Sequence, residues 1–152
     1  MRNSLLFVVY LLVAPVSVHA FEMDPMQKDA WDALVEQIQL GMERNWDDQE
    51  VYIHPQISTW GPDMAAPGGA ASGASGPALF QMAMERTPKP VAHNLVPVTV
   101  VVDGDVAIIN FYLVLLNEGP EGPTYATMRG HNTWKKDGER WRLLATYNTW
   151  LE

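Results

Sequence analysis

The chain has 152 residues, a formal net charge of −8 at pH 7 and no cysteine. Without thiols there are no disulfides, no Cys nucleophile and no thiolate metal site, so the chain relies on packing alone. An acidic chain without a Lys/Arg cluster is a poor partner for nucleic acid or for an anionic membrane surface.

The N-terminus reads as a targeting segment. Arg2 is followed by the apolar run Leu5–Val13 and by Val18-His-Ala20, a small-x-small cleavage pattern. The expectation is a leader over 1–20 and a single domain over 21–152, exported to a periplasm or secreted, and off the membrane once cleaved. An uncleaved anchor is the alternative, although the apolar run is short for a bilayer span.

Asp24-Pro25-Met-Gln27 has the composition of a helix start, with Asp24 as cap, Pro25 at the first position and Gln27 reaching back. Trp31, Leu34, Val35, Ile38 and Met42 then recur at helical spacing, which predicts an amphipathic helix from Pro25 to about Asn45. From Asp47 to about Ile57 the chain reads as a connector with a short helix or strand near Glu50–His54, ended by Pro55. The Gly/Ala/Ser/Pro-rich stretch 61–76 reads as a loop, either a disordered insertion or a lid, with Trp60 as its ordered end. A second short helix is expected over Pro77–Arg86.

Four strands follow, at about 91–102, 105–117, 124–135 and 140–150, with Asp103-Gly104 and Asp137-Gly138 as two-residue hairpin turns. The connection at 118–123 fixes its register less firmly. A helix followed by a curved antiparallel meander makes a cone with an open mouth. Register from the Asp-Gly turns divides the residues between two faces. Asn110 and Tyr112 fall on one face of the first hairpin, and Asn132, Trp134 and Tyr147 on one face of the second. These are expected to line the cone interior. The aliphatic set Val98, Val100, Ile109 and Phe111 then falls outside, where it calls for a covering second subunit, so a homodimer through the outer faces is expected. A one-residue slip at 118–123 would instead place Arg129 and His131 on the Asn110 face.

No serine, phosphate-loop or dinucleotide motif is present, and the spacing of His54, His93 and His131 does not suit a metal site. No cofactor is indicated. The candidates for chemistry are His54 as a general base and Tyr112 or Tyr147 as hydrogen-bond donors to a carbonyl. Trp60, Asn110, Tyr112, Asn132, Trp134 and Tyr147 are the candidate ligand contacts. Each has an equally simple structural role, as a half-exposed His or a buried group bonded to its neighbours.

The capped first helix, Asp47-Asp48 beyond it, Gly104-Asp-Val-Ala-Ile-Ile and His131-Asn-Thr-Trp-Lys-Lys-Asp-Gly-Glu-Arg-Trp141 resemble the SnoaL-like and ketosteroid-isomerase-like branch of the nuclear transport factor 2-like superfamily. The resemblance spans nearly all of 21–152. It implies an α+β cone, a curved antiparallel sheet wrapped around N-terminal helices, commonly dimeric and with an interior pocket. Catalytic members of that branch use interior Asp, His or Tyr, and their last strand carries a His-x-His-x-Ser-like pattern. Here those places hold Ala145, Tyr147 and Thr149, and no Asp matches the isomerase base. Two functions follow: an exported binder of a small apolar or aromatic molecule, with weak isomerase, lyase or hydrolase-type activity open, or a non-catalytic dimeric assembly module with a plugged cone.

Overall fold

A computed structural model describes residues 22–62, 68–69, 81 and 89–151. Helix α1 spans Pro25–Glu43, and its start is the expected capping box. The Asp24 carboxylate accepts from the Gln27 N–H at 2.9 Å, and the Gln27 side chain accepts from the Asp24 N–H at 3.0 Å. Arg44, in the left-handed conformation, ends it. A five-residue helix, α2 (Trp46–Glu50), follows, and then strand β1 (Ile53–Trp60). Pro55 does not end this segment as expected. It lies inside β1, between Ile53 and Ser58, where the ladder to the neighbouring strand is interrupted and a missing N–H costs nothing.

The sheet continues with β2 (Gly68–Gly69), β3 (Ala92–Asp103), β4 (Val106–Gly119), β5 (Gly122–Asp137) and β6 (Arg140–Leu151), in the order β2-β1-β6-β5-β4-β3. The meander is antiparallel, as expected, but β1 pairs parallel to β6, so the curved, unclosed sheet is mixed. The two-residue strand β2 pairs with Ser58 and Thr59 inside the stretch expected to be a loop. The rest of that loop and the expected helix over Pro77–Arg86, apart from Gln81, lie outside the described residues.

Each Asp-Gly turn sits one residue later than expected. Asp103 pairs with Val106 and Asp137 with Arg140, so Gly104 and Gly138 take the first turn position, with φ of 58° and 65°. Glycine adopts that left-handed backbone without steric cost. Moving a turn by one residue moves each partner by two, which leaves the faces unchanged. What changes the faces is the β4–β5 turn. Pro120 and Glu121 form a two-residue turn closed by Gly119 opposite Gly122, and this pairs Ile109 with Asn132 and Asn110 with His131.

The core lies between α1 and one face of the sheet. Ala30, Leu34, Ile38 and Met42 of α1 pack with Ala107, Ile109, Phe111, Leu113, Met128, Trp134, Trp141 and Leu143. The aliphatic set is thus the inner face. Val100, Ile109 and Phe111, expected on the outside, are at most 3% exposed and covered by α1, and of the expected interface set only Val98 faces out. The physical reason is simple: a continuous aliphatic row is the best cover for the apolar stripe of α1, and burying it there removes the need for a second subunit to hide it.

Candidate functional site

Two bulges decide what the outer face presents. In β3, Val98 is the extra residue between the pairs Pro97–Phe111 and Thr99–Asn110. In β6, Leu144 is the extra residue between the pairs Trp134–Leu143 and Thr133–Ala145. A bulge exchanges the faces of everything beyond it. Trp141 and Leu143 therefore point inward with Trp134, whereas Ala145, Tyr147 and Thr149 point outward.

The result is a row across five strands on the outer face: Thr99, Asn110, His131, Tyr147 and Trp60. The row is wired at one end. Asn110 Nδ2 donates to Thr99 Oγ1 at 2.7 Å, and His131 Nδ1 lies 2.7 Å from Asn110 Oδ1. With the amide so placed, Nδ1 is the donor in that bond. The adjoining row holds Tyr112 opposite Arg129. Together these residues surround an open depression of about 400 Å³, lined by Val98, Asn110, Tyr112, Arg129, His131 and Tyr147 over the backbone of Phe111 and Gly130. Tyr112 and Tyr147 are 37% and 41% exposed.

Asn110, Tyr112 and Tyr147 are thus brought together as expected, but outside the cone rather than within it. The reason is the Gly119–Gly122 turn for the first two and the Leu144 bulge for Tyr147. Asn132 and Trp134 do face inward. Both are buried, and Asn132 accepts from the Thr146 hydroxyl at 2.7 Å. Trp60 ends β1, half exposed beside Tyr147. His54 does not line the depression. Its Nδ1 accepts the Gln56 N–H at 3.1 Å, a local turn-like contact on β1.

Gly130 lies against the ring of Phe111, and Trp134 is completely buried. Among the described residues, no group of three or more His, Asp or Glu is arranged to hold a metal ion. Tyr52 has a perturbed hydroxyl, with a pKa pushed up to about 12 by burial and by its hydrogen bond to Glu36. It sits at the start of β1, apart from the depression. Thr99, Arg129 and His131 complete the outer cluster. Their sequence signal is Gly119-Pro-Glu-Gly122, whose flanking glycines allow the tight turn that sets this register.

The fold is that of nuclear transport factor 2-like proteins, and solved structures similar to it include ketosteroid-isomerase-like chains and kinase hub domains. The CaMKII hub of S. rosetta superposes with a TM-score of 0.67 at 20% identity, over 86% of this chain and 99% of that one. A ketosteroid isomerase-like protein from Erwinia carotovora atroseptica gives 0.65 at 11% identity, over 86% and 99%. An NTF2-like protein with a cystatin-like fold from Novosphingobium aromaticivorans gives 0.66 at 16% identity, over 83% and 82%. No family model matches the sequence, and no curated protein matches it.

Proposed function

We propose that this chain is a non-catalytic assembly domain, exported after loss of residues 1–20, on whose outer sheet face a second copy docks. The observation that carries this reading is the close packing of the described inner face. A Cβ on Gly130 would overlap the Phe111 ring, so this part of the face leaves no room for a substrate between strand and ring. The outer face has the make-up of an interface instead: exposed Val96, Val98, Val101, Ile108, Tyr112 and Tyr147 around a polar centre with one Arg. The similarity to hub and association domains supports self-assembly. Sedimentation velocity on residues 21–152 tests it. A concentration-dependent oligomer that Tyr147→Ser and Ile108→Ser weaken is expected, and a monomer at every concentration would sink it.

The depression favours a second reading, in which a small planar molecule rests between Tyr112 and Tyr147. Native mass spectrometry of protein from its own compartment separates the two: an added mass lost on denaturation supports the ligand, and a clean oligomer supports assembly. Amino-terminal sequencing of the same sample should begin at Phe21 if the leader is cleaved.

A further inference from the structure

Helix α1 carries a stripe of acid. Asp29, Asp32, Glu36 and Glu43 are all exposed. At about 100° per residue they fall within roughly 60° of arc, on the side away from the buried Ala30, Leu34 and Gln37. At about 1.5 Å per residue the stripe is roughly 21 Å long. The outer face of β5 carries its counterpart. Arg129, His131, Thr133 and Lys135 alternate along it, and at about 3.3 Å per residue Arg129 and Lys135 stand roughly 20 Å apart.

Neither Arg129 nor Lys135 makes an ion pair among the described residues, whereas the next cation, Arg142, is already paired with Asp137. Of the outward positions facing and flanking this stripe, Val106, Ile108, Asn110, Tyr112, Val114 and Thr127 carry no carboxylate, and Asp137, next along β5 beyond Lys135, is held by Arg142. The two stripes therefore match in length and are opposite in net charge, although Lys28 pairs with Asp32 and Tyr52 bonds to Glu36 within the acidic one. They also lie on different elements, α1 packing against the inner face of the sheet and the basic stripe pointing out. Two copies packed sheet to sheet with the two-fold axis through this stripe would instead set Arg129 and Lys135 against their own images, and like charges in an interface are costly.

We propose that copies of this chain assemble head to tail, with the acidic stripe of α1 in one copy lying along the outer face of β5 in the next. This rests on the outer face being the assembly surface. A contact between two different surfaces propagates, so the product is a ring if the rotation closes and a filament if it does not.

The test uses two double variants at exposed positions, Arg129→Glu with Lys135→Glu and Asp29→Lys with Asp32→Lys, followed by sedimentation at low ionic strength. Each variant alone is expected to sediment as a monomer. An equimolar mixture is expected to recover the assembly, because the reversed stripes are complementary again, and recovery also shows that both variants are folded. If the wild type assembles and the helix variant assembles equally well, the head-to-tail contact is wrong while the outer-face reading stands. If the two variants stay monomeric when mixed, the pairing of these stripes is wrong. A wild type that never assembles removes both.

Discussion

The ring of Phe111 occupies the place where a side chain on Gly130 would be. The two residues are direct cross-strand partners on the inner face. A Cβ built on Gly130 overlaps Phe111 Cζ and Cε1 and comes within 2.9 Å of Cε2. Phe111 is 1% exposed and enclosed by the core, so its ring has nowhere to retreat. Gly130→Ala should therefore destabilise the fold by about 1–3 kcal/mol, the usual cost of overpacking. Urea denaturation checks this, and Phe111→Leu in the same chain should recover part of the loss. An unchanged midpoint for Gly130→Ala would mean that the interior has room after all and would revive an interior ligand.

Asp24 and Gln27 do two jobs between them. They close the capping box, and Gln27 Nε2 also donates to the Val100 carbonyl at 2.9 Å, tying the start of α1 to β3. Asp24→Ala removes only the cap and should cost about 1 kcal/mol. Gln27→Ala removes the reciprocal cap bond and the tether, and should cost more than Asp24→Ala when both are measured by thermal unfolding. Equal losses would show that the Val100 contact contributes nothing.

The elements of this fold are legible in the sequence because each rests on local signals. The capping box, the 3.6-residue stripe of α1 and the glycine turns are read within a few residues. The faces are not legible, because a face depends on counting without error along the whole strand. The Gly119–Gly122 turn and the extra residues Val98 and Leu144 each reverse the parity of the residues beyond them. That is why Tyr147 and Asn110, expected inside, are found outside, together. The parallel pairing of β1 with β6 is equally hidden, since it joins segments some ninety residues apart (Ser58 with Ala145, for example) with no local signature.

Tyr52 gives the stability a pH dependence at the alkaline end. Burial and the hydrogen bond to Glu36 raise its pKa from 10.0 to about 12 in the folded chain, with Arg140 pulling weakly the other way. The unfolded chain loses this proton first. Its contribution to stability is therefore complete below pH 10 and is lost as the pH climbs towards about 12. Tyr52→Phe cannot ionise and removes the bond to Glu36, so its stability should be lower at neutral pH and should fall less steeply across that window. Parallel slopes for the two proteins in denaturant titrations would show that another group controls the alkaline loss.

Gln37 is a polar side chain without a full set of partners in the core. It is 1% exposed, and among the described residues its Nε2 has no acceptor, as is also true of the indole N–H groups of Trp134 and Trp141. A buried donor left unpaired costs about 1–3 kcal/mol. The backbone carbonyl of Gln37 accepts from Gln49 Nε2 at 3.0 Å, and that link to α2 survives any side-chain change. Gln37→Leu keeps nearly the same volume and removes the donor, so it should stabilise the fold by about 1 kcal/mol in urea denaturation. A loss of similar size would instead show that the amide has an acceptor in solution, either an ordered water or a bound molecule between α1 and the sheet, and would send the search for function back inside the cone.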